Sequence, residues 1–159
     1  MENWFDTLEV LQRRPDAWAL VRGGPGYQNL TGFVQFYQTR YGVLVAAEFQ
    51  GLPIGKACMA PVFGFHIHEK GDCEPMGEDI FGMTGGHYNP AGCGHPYHAG
   101  DMPPLFGAGD RAILLFLSDR FTVQEILDRA VVVHSRPDDF TTQPAGNAGE
   151  KIACGVIQR

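Results

Sequence analysis

Apolar and polar side chains alternate along much of this chain. In residues 31–39, Val34 and Phe36 alternate with Gln35 and Tyr37; in residues 41–50, Val43, Val45, Ala47 and Phe49 fall on one face. Successive side chains of an extended strand point to opposite faces, so each segment predicts a half-buried β-strand. Residues 16–22, 63–69, 130–135 and 151–158 also suit strands, and the apolar run 112–118 predicts a buried one. A brief strand is expected near His87. Gly23-Gly24-Pro25-Gly26 and Gly51-Leu52-Pro53 are turns, and residues 137–149 form a polar loop. Helical signals occur in two places. Trp4, Phe5, Leu8 and Leu11, ended by Pro15, predict a short helix or arm packed on the rest. Thr122-Val123-Gln124-Glu125 fits a capping box that opens a helix ending near Arg129. About eight short strands without helix–strand alternation predict an all-β fold, an eight-stranded antiparallel Greek-key β-barrel or sandwich. The expected organisation is an arm over 1–15 and one domain over 16–159.

Composition narrows the partners. A net charge of −6 argues against nucleic acid and anionic membranes, which favour a basic face. No apolar run reaches the roughly 18 residues a membrane helix needs. The stretch Met1-Glu2-Asn3-Trp4-Phe5-Asp6 lacks the basic and apolar regions of a signal peptide, which predicts a cytoplasmic protein and leaves an exported mature form open. Cys58, Cys73, Cys93 and Cys154 include no C-x-x-C pair, so a zinc knuckle or redox motif is not expected, and three complete pairings stay open.

The chemistry concentrates in residues 64–101, which hold five of the six histidines. His66 and His68 share one face of a predicted strand, with Phe65 and Ile67 anchoring the other. Residues 70–103 are long and irregular, which in a compact domain points to function or disorder. They carry His87 and the run His95-x-x-His98-x-x-Asp101, while His134 ends the apolar run Val131-Val132-Val133. Imidazole is a common ligand of copper and zinc, and carboxylate serves zinc too. All six histidines plus Asp101 therefore predict one two-metal site.

Gly64-Phe65-His66-Ile67-His68-Glu69, Gly86-His87-Tyr88-Asn89-Pro90, His98-Ala99-Gly100-Asp101 and Gly146-Asn147-Ala148-Gly149-Glu150-Lys151-Ile152-Ala153-Cys154-Gly155 resemble the copper/zinc superoxide dismutases, especially the bacterial branch. The resemblance runs from about Asp16 to the C-terminus. It implies that superoxide is the substrate, that His66, His68 and His134 bind copper, that His87 bridges copper and zinc, and that His95, His98 and Asp101 complete the zinc site. It implies that Asp138 ties ligands of the two metals together, with Asp139 a surface group. It pairs Cys73 with Cys154, a bond at odds with a reducing cytosol. Cys58 and Cys93 have no counterpart: Cys93 is a stray zinc ligand, a partner for Cys58, or one of two free thiols. Two departures stand out. Lys151 occupies the place of an arginine at the copper channel, keeping the charge without the bidentate fork and predicting a slower enzyme. Only Pro96 and Tyr97 separate His95 from His98, where the family has more residues. Lys70 and Arg136 are weaker candidates for drawing in the anion. Rival readings are a copper-binding or storage module, a zinc-only homologue and a cupin-type dioxygenase. The last leaves His95, His98 and Asp101 unused. Monomer and homodimer both stay open.

Overall fold

The structure, a computed structural model, describes residues 6–58 and 61–159. Its elements in order are α1 (Asp6–Glu9), a 3-10 turn (Val10–Gln12), β1 (Ala17–Gly23), β2 (Thr31–Thr39), β3 (Gly42–Gln50), β4 (Val62–Phe63), β5 (Phe65–His68), a second 3-10 turn (Gly82–Thr84), β6 (Leu105–Phe106), β7 (Ala112–Ser118), α2 (Val123–Ile126), β8 (Ala130–His134) and β9 (Lys151–Gln158). Seven strands make one antiparallel sheet in the order β5-β8-β9-β1-β2-β3-β7, curled into a half-barrel, and β4 pairs with β6 apart from it. Among the described residues no helix is long and apolar enough to cross a membrane.

The alternation seen in sequence is the alternation of burial. Val34, Phe36, Val43, Val45, Ala47 and Phe49 all enter the main core. Tyr37 and Leu44, opposite it on β3, are exceptions: period two points them outward, yet they are only 2 % and 3 % exposed. Arg13 lies over the Tyr37 ring, 5.7 Å from the centroid, and donates to Asp16 Oδ2 at 2.8 Å and Gln38 O at 3.0 Å. The residues before β1 thus fold over that end of β2. Leu8 and Leu11 remain exposed, so they do not pack as the helical spacing predicts, and Trp4 and Phe5 lie outside the described residues.

Four elements differ from the sequence reading, the first being the brief strand expected near His87, which is a single bridge to His68. The strand expected at 63–69 divides at Gly64 into β4 and β5. Gly64 N donates to Arg136 O and its carbonyl accepts from His134 N, both at 2.8 Å, and a Cβ there would lie 2.8 Å from the Ala148 methyl. The two-residue β6 is too short to leave a periodicity. The helix after Thr122 has the expected capping box but stops at Ile126, because Leu127 is extended and Asp128 has φ 60°. Asp128 N bonds Ile157 O at 3.0 Å and Ile157 N bonds Arg129 O at 2.8 Å, so pairing with β9 overrides local helix propensity.

A second, smaller cluster sits on the outer face of β8 and β9. Phe81, Ala130, Val132 and Cys154 are buried there, with Cys73 and Ile80 packed against them. Cys73 is joined to Cys154, so the loop after β5 is covalently pinned to the sheet.

Candidate metal centre

Four backbone segments interlock to bring the histidines together. His66 and His68 of β5 lie opposite Val132 and Ala130 of β8, which puts them on the outer face while Phe65 and Ile67 enter the core. A β-bulge between Val133 and His134 ends the regular β8–β9 register beside these rings. Tyr88 N donates to Ile67 O at 2.8 Å, Gly100 N to Tyr88 O at 2.8 Å, and Ile67 N to Gly100 O at 2.9 Å. The His87 segment and the His95–Asp101 loop are thereby laid along β5. Buried Tyr88, Met102 and Leu105 anchor them in the main core.

Two donor sets result. His66, His68, His87 and His134 offer four nitrogens within 4.8 Å of one another; His87, His95, His98 and Asp101 offer a second group at the same spacing. His87 belongs to both. Each of the six imidazoles is at most 6 % exposed. Asp101 collects the second set: its Oδ1 accepts from His87 Nδ1 at 2.6 Å, and its Oδ2 lies 3.0 Å from His95 Nδ1 and 3.3 Å from His98 Nδ1.

Outer partners decide which ring nitrogen faces inward. His66 Nε2 donates to Asp138 Oδ2 at 2.7 Å and His95 Nε2 to Asp138 Oδ1 at 2.8 Å, so one carboxylate joins a ring from each set. His68 Nδ1 donates to Gly85 O at 2.9 Å and His134 Nδ1 to Gly149 O at 3.3 Å. In those tautomers the Nε2 lone pairs of His68 and His134 face each other at 3.2 Å. Two lone pairs so close repel unless a cation lies between them. His66 Nδ1, His87 Nε2 and His95 Nδ1 are buried with no hydrogen-bond partner among the described residues. Leaving a buried polar atom unpaired costs about 1–3 kcal/mol, whereas a metal uses such lone pairs. The donor chemistry therefore fits nitrogen-liganded copper and mixed nitrogen–oxygen zinc. Gly146, at φ 66°, makes room for the carboxylate: a Cβ there would meet Asp138 Oδ1 and lie 2.6 Å from His95 Nε2.

Burial keeps His66, His68 and His134 neutral. It lowers the pKa of His66 to about 4, against the opposing pull of Asp138, and that of His134 to about 3, helped by the charge of neighbouring His66. His68 is pushed well below its ordinary value by burial and by His134. The Asp138 carboxyl is also lowered: burial raises it, but hydrogen bonds from His66, Phe140 N and His95 outweigh this. An unfolded histidine titrates near 6.5, so below that pH the unfolded chain binds more protons than the folded one. Stability of the metal-free protein should therefore be full above pH 6.5 and fall progressively towards pH 4. The loss is about 3 kcal/mol for His66 alone. Denaturant melts of metal-free protein at pH 7.5, 6 and 5 check this, and coincident midpoints would refute it.

The remaining sequence candidates are placed as follows. Asp139 is exposed and accepts from Thr141 N and Thr142 N at 2.9 and 2.8 Å, holding a turn. Cys58 and Cys93 are exposed free thiols, so neither the Cys58–Cys93 bond nor a Cys93 ligand forms. Lys151 Nζ donates to Asp79 Oδ2 at 2.8 Å and to Phe81 O at 3.3 Å. It lines a depression together with Tyr27, Asp79, Glu150 and Arg136, whereas Lys70 does not. The sequence reading missed Asp79, the carbonyls of Gly85 and Gly149, and the contacts of Arg120 and Gln143 described below. A backbone carbonyl leaves no residue-type signal, and an isolated Asp, Arg or Gln in a loop looks like surface.

A curled β-sheet bearing two abutting ligand sets that share one imidazole defines a two-metal β-protein. The chain belongs to the copper/zinc superoxide dismutase family, whose pattern, described as copper/zinc superoxide dismutase (SODC), matches residues 30–157. It is 34 % identical over 145 residues to superoxide dismutase (Cu-Zn) 2 of Aquifex aeolicus (strain VF5), covering 82 % of this chain and 80 % of that protein. It is 35 % identical over 159 residues to superoxide dismutase (Cu-Zn) of Caulobacter vibrioides, covering 89 % and 85 %. The crystal structure of a SOD-like protein from Bacillus subtilis superposes with a TM-score of 0.72 at 27 % identity, covering 87 % of this chain and 96 % of that one.

Proposed function

We propose that the protein is a superoxide dismutase, converting superoxide to oxygen and hydrogen peroxide. In this reading His66, His68, His87 and His134 would hold copper, and His87, His95, His98 and Asp101 would hold zinc. The observation that carries it is the membership of His87 in both donor sets. Copper supplies one-electron exchange, which zinc lacks. The protein's own part is positional and protonic. His87 Nε2, buried and unpaired, is the atom at which a proton would be carried towards product; in the metal-free protein the opposite nitrogen of the same ring donates to Asp101. Asp138 fixes His66 and His95 at once, so the two sets cannot rotate independently. The Cys73–Cys154 bond is compatible with an exported form, since oxidising compartments preserve such links. A xanthine-oxidase-coupled assay on copper- and zinc-loaded protein tests the reading; copper uptake without turnover would defeat it.

A second reading, a copper-binding module with little turnover, is favoured by the state of Lys151. Its charge lies near His134, whose pKa it helps lower, yet is paired with Asp79. A cation matched by a carboxylate attracts an anion less, in a protein whose charge is already −6. Both readings make Lys151 the channel cation and place the enzyme below its potential rate. Lys151→Arg should raise kcat/KM several-fold through the guanidinium fork. Asp79→Asn should raise it by up to about tenfold at low ionic strength, a gain that shrinks as salt is added. Lys151→Met lowering nothing would remove Lys151 from the channel altogether.

A further inference from the structure

We propose that Arg120 and Gln143 are positioning residues for the zinc set, acting through the backbone of the loop that supplies His95, His98 and Asp101. The proposal rests on the zinc reading of that set. Residues 94–101 contain no helix or strand, apart from the isolated bridge of Asp101 to His66. Within the segment the backbone is held by turns, Tyr97 N to Gly94 O at 2.9 Å and Asp101 N to His98 O at 3.2 Å. Among the described residues its backbone bonds to other segments are those of Gly100 with Tyr88 and Ile67, which leaves His95 and His98 to be fixed by other means.

Two side chains from elsewhere in the chain fix them. Arg120 lies between β7 and α2, and its Nη1 donates to Pro96 O at 2.9 Å and to His98 O and Asp101 O at 3.4 Å each. One cationic nitrogen thus gathers the carbonyls of two ligand residues and of the residue after the third. Gln143 grips the other end. Its Oε1 accepts from His95 N at 2.8 Å and its Nε2 donates to His95 O at 2.7 Å, so one side-chain amide satisfies both backbone groups of a ligand residue as a neighbouring strand would. The loop that carries Gln143 also carries Asp138, which holds the His95 ring. His95 is therefore fixed at ring and backbone from the same side, and the far half of the segment from Arg120. Both residues avoid the ligand atoms, so their effect on the metal is geometric. Loss of partners that orient ligands typically weakens metal binding 10- to 100-fold.

The test compares the parent with Arg120→Met, Gln143→Ala and the double variant. Zn2+ dissociation constants are measured by chelator competition, alongside the visible spectrum of Co2+ at the same set. The expected result is a 10- to 100-fold weaker Zn2+ affinity in the double variant, a Co2+ spectrum shifted from the parent's, and unchanged Cu2+ affinity. Arg120→Lys should recover much of the loss, since an ammonium keeps three donors. In the metal-free protein, amide hydrogen exchange over residues 94–101 should quicken while the sheet stays protected. Parent-like Zn2+ affinity in the double variant overturns the proposal. An equal loss of Cu2+ affinity with a lowered melting point of the sheet also overturns it, by showing a general folding role. A parent that binds no Zn2+ or Co2+ removes the zinc reading and the proposal with it.

Discussion

Replacing His134 by alanine is expected to lower copper affinity by at least about 100-fold and to remove superoxide turnover. Removing only an outer partner of a ligand costs 10- to 100-fold, so removing the donor itself sets that range as a floor. His134 is 4 % exposed and its Nε2 lies 3.2 Å from His68 Nε2, so its donor atom sits inside the set. The effect should be selective. His134 is absent from the His87, His95, His98 and Asp101 set, so Zn2+ affinity should stay close to the parent's. Copper competition and a superoxide assay on the same samples decide it. Parent-like turnover in this variant would place the chemistry elsewhere.

Breaking Cys73–Cys154, by reduction or by Cys154→Ser, should cost about 4.5 kcal/mol in the chain-entropy account of a loop spanning 81 residues. For a domain of this size that lowers the melting temperature by roughly 10–15 °C. The consequence reaches the site. The same link packs with Phe81 and Ile80 on Val132, while Phe81 O and Asp79 hold Lys151. Gly85 O, just beyond, fixes the His68 tautomer. Copper affinity should therefore fall on reduction as well. Equal melting temperatures for the oxidised and reduced forms would contradict the entropic argument.

The sheet was legible because burial on one face imposes a period of two wherever a strand lies half-covered. That pattern located β1, β2 and β3 to within a residue, whereas β8 and β9, buried on both faces, read as short apolar runs. It failed where a tertiary contact replaced the local rule. Arg13 covers Tyr37, Gly64 divides one strand into two, and β9 claims Asp128 and Arg129 from the helix. The divided strand, the two-residue β6 and the reduction of the strand expected near His87 to one bridge explain why the expected eight strands became seven in one sheet plus a separate pair.

The chain alone marked the candidate ligands, since histidines at i and i+2 on a strand, such as His66 and His68, share a face whatever the rest of the molecule does. It also fixed the resemblance, because motif order survives without coordinates. Only the tertiary structure decided which ring nitrogen each histidine turns inward, because that depends on a carbonyl or carboxylate from a distant loop. It likewise decided that the charge of Lys151 is matched by Asp79, and that Arg120 and Gln143 hold the loop of His95, His98 and Asp101. Contacts between residues 15 to 72 positions apart leave no local pattern, because the chain between them sets their distance only after it has folded.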